Sequence, residues 1–157
     1  MKRTALLTLT ALVLGFSCAA QAQSYGPNVT LVQAKTVLAA AEAEAAAQNW
    51  NVAIAVVDTA GNLVAFVKRD DTQTASVDVA QDKARSAAIY KRATKAFQDN
   101  VASGGVGLRV MTLDGVVAAE GGVPLLVNGA IVGAVGVSGV TSEQDGMVAA
   151  AGAAALK

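Results

Sequence analysis

The stretch PLLV-NG-AIVGAVGV, Pro124 to Val137, decides the fold. Two apolar runs flank Asn128-Gly129, a dipeptide whose residues both tolerate positive φ. That tolerance suits the tight type I′ turn, whose twist matches two antiparallel strands. The stretch therefore predicts a hairpin of Pro124–Val127 with Ala130–Val137. Upstream, the β-branched run Val52–Val57 reads as a buried strand, and Asp58-Thr59-Ala60-Gly61-Asn62 as a turn leading into a strand over Leu63–Val67. So short a connection again requires antiparallel pairing, since a parallel crossover needs a dozen or more residues.

Helical periodicity fills the intervals. Thr30 can cap a helix over Leu31–Gln48, with Leu31, Ala34, Leu38, Ala41 and Ala45 on one face. Ser76–Tyr90 carries Val77, Ala80, Ala84, Ala87 and Ala88 on one stripe, with Asp78, Asp82 and Arg85 on a solvated face. A short helix is predicted near Ala93–Asn100, and Ser103-Gly104-Gly105 ends it. Val106–Leu113 reads as strand or loop, followed by an Asp114-Gly115 turn. Thr141 or Ser142 caps a last helix to Leu156, with Asp145 in its first turn favoured by the helix dipole. Two hairpins with flanking helices make an α+β domain with a mainly antiparallel sheet. No internal repeat is evident.

The N-terminus reads as a leader. Lys2 and Arg3 precede an uncharged, mostly apolar run of 12 residues, Ala5–Phe16, and Ala20-Gln21-Ala22 offers a small-x-small cleavage site. A spanning helix needs about 20 apolar residues. Cys18 raises lipoprotein processing as an alternative, but Gly15 stands where a leucine is expected. The expectation is a signal peptide over 1–22, an exported (periplasmic or secreted) single domain over 23–157, and no membrane insertion after cleavage. The mature chain would hold 135 residues, 10 basic against 12 acidic.

Composition narrows the chemistry. There is no histidine, which excludes a Ser-His-Asp triad, a His-ligated zinc and an imidazole proton shuttle. Loss of Cys18 with the leader also removes thiol catalysis and disulfides. The whole chain carries 12 basic and 12 acidic residues, with no basic stripe, so no nucleic-acid partner is expected. No metal site is expected either. What remains is Lys, Arg, Asp, Glu, Ser, Thr, Tyr and backbone amides.

Within that repertoire a few positions stand out. Ser76, Lys83 and Tyr90 form one row on the flank of the helical stripe, where a lysine can bury its stem and present its ammonium. Gly121-Gly122, just before the hairpin, permits positive φ and can turn successive amides toward an anion; a plain tight turn is the alternative. Glu120 beside it can accept a proton or simply face water. Ser138 ends the hairpin and Ser142 opens the last helix, whose N-terminus can receive an anion or its own cap. Gly133, Gly136 and Gly139 lie three apart in a hairpin, which is the wrong spacing and context for a dinucleotide loop and fits close backbone packing.

Three stretches carry a resemblance: VAIAVVDTAGNLVAF (Val52–Phe66), SVDVAQDKARSA (Ser76–Ala87) and GGVPLLVNGAIVGAVGVSGVTSEQDGMVAAAGAAAL (Gly121–Leu156). The chain resembles the GlcG/HbpS family, haem-degrading-like proteins related to the C-terminal domain of PduO-type proteins. The resemblance implies a five-stranded antiparallel sheet flanked by helices in profilin-like layering, assembled as a homo-oligomer, dimer or higher. It also implies haem or another tetrapyrrole as a ligand class. Haem-binding relatives are understood to use a histidine ligand, which this chain lacks; Tyr25, Tyr90, Met111, Met147 and Lys83 are the substitutes on hand.

Two functions follow as expectations. One is an exported module that binds a small anionic molecule, with haem among the candidates through its propionates. Lys83, Gly121, Gly122, Ser138, Ser142 and Tyr90 would be the ligand-binding residues. The other is a cofactor-independent enzyme on a small oxo- or hydroxy-acid or aromatic compound, with Lys83 as base or electrostatic catalyst and Glu120 or Asp145 as partner. A purely structural oligomer is a third reading.

Overall fold

A computed structural model describes residues 23–156; the expected leader, Cys18 and its cleavage site lie outside the described residues. The elements run α1 (Leu31–Ala47), β1 (Ala53–Asp58), β2 (Leu63–Lys68), α2 (Ser76–Ile89), α3 (Lys95–Ala102), a 3-10 helix (Gly105–Thr112), β3 (Gly122–Val127), β4 (Ala130–Ser138) and α4 (Ser142–Ala154). All strands pair antiparallel in the order β2-β1-β4-β3. Both expected hairpins form, and Asn128 (φ 50°) and Gly129 (φ 78°) adopt the positive φ values their turn demands.

The two faces of the sheet differ in kind. Ile54 and Val56 of β1, with Val135 and Val137 of β4, join Val37, Leu38 and Ala41 of α1 and Val148 of α4 in one buried cluster. The opposite face meets α2 mostly through small side chains: Ala53, Ala55 and Ala134 meet Ala80, Ala84 and Ala87, with Val57 and the half-buried Phe66 the larger members of the cluster. Gly136 brings α2 closer still, because a Cβ there would strike the Ala80 carbonyl and the Ala84 amide. Burying a valine contributes about 1.5–3 kcal/mol. The face under α1 and α4 therefore supplies most of the hydrophobic stabilisation, while the alanine face sets how near α2 lies. β1 and the inner part of β4 are covered on both sides, which is why they read as unbroken apolar runs.

Among the described residues four strands form, where the resemblance implies five. On the flank of β4 shared with β1, pairing starts at Gly133, opposite Asp58, leaving Ile131 and Val132 open. The N-terminal arm takes that gap: the Ile131 amide donates to Ser24 O, and the Gly26 and Val29 amides donate to Ile131 O and Val132 O. The arm makes one parallel bridge, Tyr25 to Ile131, and Pro27, with no amide hydrogen, interrupts any longer ladder. Val106–Leu113, expected as strand or loop, is mostly the 3-10 helix instead. Gly107 lets it pack against α3, where a Cβ would run into the Asn100 carbonyl.

Candidate functional site

The row Ser76, Lys83, Tyr90 lies along α2 as its seven-residue spacing dictates, and each member meets a different partner. Ser138 Oγ donates to Ser76 Oγ at 3.2 Å, both side chains buried. Lys83 Nζ donates to Asp145 Oδ2 at 2.7 Å and to Val137 O at 3.0 Å. Only 2% of Lys83 and 2% of Asp145 is exposed, so the pair is out of reach of bulk water. Asp145 Oδ1 also accepts from the Val140 amide. Burial pushes the Asp145 carboxyl above its ordinary value, although the Lys83 ammonium and the Val140 and Gly139 amides pull the other way.

The double-glycine bend belongs to this same seam. A Cβ on Gly121 would stand 2.9 Å from Lys83 Nζ and 2.9 Å from Asp145 Cβ. Glu120 is half-buried against α4, with its Oε1 2.5 Å from where a Cβ on Gly146 would be. The Gly122 amide, considered above for an anion, donates to Thr94 Oγ1 at 2.9 Å, while the Thr94 amide returns a bond to Gly122 O. At the start of α4, Ser142 follows a Thr141 capping box, in which Thr141 Oγ1 accepts from the Gln144 amide and the Gln144 side chain accepts from the Thr141 amide. Lys83, Asp145, Gly121 and Glu120 thus come together, with Ser138 on the same seam. Lys83 and Asp145 satisfy one another, Ser138 bonds to Ser76, and these bonds tie α2 to β4 and α4.

Tyr90 goes elsewhere, and the end of α2 explains where. Lys91 takes a left-handed conformation (φ 54°), with its amide bonded to Ala88 O and the Arg92 amide to Ala87 O. This is a Schellman closure, which turns the chain sharply after the helix. It leaves Tyr90 and Arg92 facing α3. The Tyr90 hydroxyl donates to Asp114 O at 2.7 Å, and its ring meets Phe97 edge-on at 5.6 Å. Arg92 is steadied by a bond from Nε to Tyr90 O and by its guanidinium lying 5.6 Å from the Phe97 ring centre.

These residues wall a cleft of about 370 Å³, completed by Arg109, Val106, Val110 and Leu113 from the 3-10 helix and its exit. No acidic side chain lines it. Two further clefts differ in charge. One, beside Lys68 and Arg69, includes Glu42, Asp70 and Asp71; the other, between Pro27 and Val127, has no charged wall. An anion with an apolar body is therefore best matched by the cleft at Tyr90. Arg92, Arg109 and Phe97 were not singled out from sequence. The available signal was a lone arginine inside the apolar run Val106-Gly107-Leu108-Arg109-Val110-Met111. Among the described residues there is no metal-binding group of three His, Cys, Asp or Glu side chains.

Comparison with known proteins places this geometry in context. The family described as haem degrading protein HbpS-like matches residues 29–154. Protein GlcG of Escherichia coli (strain K12) is 43% identical over 105 residues, covering 67% of this chain and 77% of that protein. Among solved structures, HbpS superposes with TM-score 0.76 at 28% identity, covering 88% of this chain and 99% of that one. A complex of PduOC with haem superposes with TM-score 0.74 at 27% identity, covering 83% and 96%. By sequence and by fold, this chain belongs to the HbpS-like haem-degrading protein family.

Proposed function

We propose that this protein is an exported binder of a planar, amphipathic anion of the haem class, held in the cleft between Tyr90 and Arg109. The observation that carries the reading is the pairing of two guanidiniums, Arg92 and Arg109, with an apolar wall of Phe97, Val106, Val110 and Leu113. Charge-assisted bonds from arginine to a carboxylate are strong and often bidentate, so the arginines would take the carboxylates while the apolar wall takes a ring face. A volume of about 370 Å³ is near the small end for ligand sites, which suits one edge of a macrocycle. Val106 is 77% exposed and Leu113 44%, so apolar surface continues outward from the cleft. The haem bound by the structurally similar PduOC supports the ligand class.

Lys83, Gly121, Ser138 and Ser142 enter this reading as the frame rather than as direct contacts. Their seam fixes α2 against α4, and α2 in turn carries Tyr90 and Arg92 at its end. Export is supported by Lys2-Arg3, the apolar run and Ala20-Gln21-Ala22, and is read out by a secreted or periplasmic chain beginning at Gln23 in mass spectrometry. Assembly as a homo-oligomer is supported by exposed apolar side chains such as Val32, Val106 and Met111; light scattering of the mature chain should give a dimer mass or higher.

The binding test is a titration of the mature protein with haemin, followed in the Soret band. Saturable binding that weakens at least tenfold in the Arg92→Gln, Arg109→Gln double variant, about 1.4 kcal/mol, is the expected result. No binding, or binding indifferent to both substitutions, overturns the reading.

A further inference from the structure

Haem offers a protein three handles: two carboxylates, an apolar ring face and an iron. The first two have counterparts in the cleft at Tyr90. The third is the open question, and the donor set answers it. Haem iron is normally held by histidine, a cysteine thiolate, methionine or tyrosine. The chain contains no histidine, and its single cysteine stands at position 18, in the segment read as a removed leader.

Each remaining donor among the described residues has a place in the structure; Met1, like Cys18, belongs to the segment read as a leader. The Tyr25 hydroxyl lies 2.9 Å from both Ala88 O and Ile89 O and shares its one hydrogen between these last carbonyls of α2. Burial also raises its pKa, against phenolate formation. Lys83 is paired with Asp145 inside the seam. Met111 and Met147 are 67% and 52% exposed, and neither lines the cleft. Tyr90 does line it, but its hydroxyl donates to Asp114 O at 2.7 Å and its ring is set edge-on to Phe97. Ligation by Tyr90 would require that phenol to lose its proton and its carbonyl partner together. Ser103 Oγ, another oxygen in the wall, donates to Asn100 O. The cleft matches the organic part of haem and does not match its iron.

We propose that the cleft recognises the carboxylates and the ring face of its ligand and is indifferent to the metal. Its ligand class is then planar tetrapyrrole carboxylates as such, metal-free ones included. This rests on the haem-class reading above and narrows it. Chemically, such a protein suits the capture or carriage of porphyrins before metal insertion or after metal loss as well as it suits haem.

The test titrates the mature protein with three probes of one skeleton: haemin, zinc protoporphyrin IX and metal-free protoporphyrin IX. Absorbance reports the first, and tryptophan quenching or porphyrin fluorescence the other two. Affinities agreeing within about threefold, some 0.65 kcal/mol, are expected. A Tyr90→Phe variant should leave the haemin Soret position unchanged, since the ring stays and only the hydroxyl is lost. Haemin binding with a tenfold or greater loss for the metal-free porphyrin overturns the proposal while leaving the haem-class reading standing. A Soret shift or lost haemin binding in Tyr90→Phe, with metal-free binding kept, overturns it likewise by identifying Tyr90 as an iron ligand. Failure of all three probes to bind overturns both.

Discussion

Lys83 Nζ and Asp145 Oδ2 lie 2.7 Å apart, across 62 positions of sequence, with side chains each 3% exposed. This pair joins α2 to α4 past the end of β4, so its energetics bear on the whole frame. Removing one partner strands the other as a buried charge. Lys83→Met or Asp145→Asn should therefore cost about 3–5 kcal/mol in urea unfolding, while Lys83→Met with Asp145→Leu should recover most of that loss. Single variants as stable as the parent would show that water reaches the pair.

The Asp145 carboxyl also sets a sign. Its folded pKa is raised above the unfolded value of 3.8, chiefly by burial, so the folded state holds this proton more tightly than the unfolded chain does. The favourable contribution is full below 3.8 and declines as pH rises through the folded value. Asp58 has the opposite sign. Burial raises it, but hydrogen bonds from the Asn62 side chain and from the Asn62, Ala60 and Gly61 amides outweigh that and hold it low. Its contribution is present above 3.8 and is lost as pH falls through the folded value. Asp58→Ala should cost about 1 kcal/mol at neutral pH, and the gap from the parent should close on acidification in paired denaturation curves. A gap that widens in acid would contradict the turn's hydrogen bonding.

Gly136 faces α2 backbone, and a methyl group there meets the Ala80 carbonyl and the Ala84 amide. Neither neighbour can rotate away as a side chain would. Gly136→Ala should destabilise by about 1–3 kcal/mol or more, with a lowered Tm. The same change at Gly129, where the hypothetical Cβ has no neighbour within 4 Å, should act only through its positive φ. Equal losses at the two sites would argue against close approach of α2.

Tyr90 is fixed by one hydrogen bond to Asp114 O and one ring contact. Loss of the hydroxyl in Tyr90→Phe should cost about 1 kcal/mol of stability. Loss of the ring in Tyr90→Ala should also weaken porphyrin binding, because Phe97, over which the Arg92 guanidinium lies, loses its edge-on partner. Unchanged binding in Tyr90→Ala would remove Tyr90 from the cleft wall.

Much of the frame was legible before any coordinates. Asn128-Gly129 announces its turn because so few dipeptides take two positive φ values, and the alternating bulk of β4 explains which face meets α2. Lys83, Asp145 and the double glycine were each conspicuous, but nothing local says that residues 62 apart will neutralise one another. The cleft was harder to see. The 3-10 helix repeats every three residues, so Val106–Thr112 shows neither the helical nor the strand period. Arg92 looked like one more charge after a helix, and its direction depends on the left-handed Lys91. The fifth strand fails for a similarly local reason: Pro27 lies in the arm, and β1 occupies the β4 flank from Gly133 onward, which leaves the arm only Ile131 and Val132.

The ligand's position distinguishes the cleft at Tyr90 from the other two, and NMR locates it residue by residue. Amide chemical shifts of the mature protein should be followed by NMR during titration with protoporphyrin IX. Shifts concentrated between Tyr90 and Leu113, strongest near Arg92, Phe97 and Arg109, are the predicted result. Shifts confined to the crevice at Glu42, Lys68 and Arg69, or to the groove between Pro27 and Val127, would contradict the account.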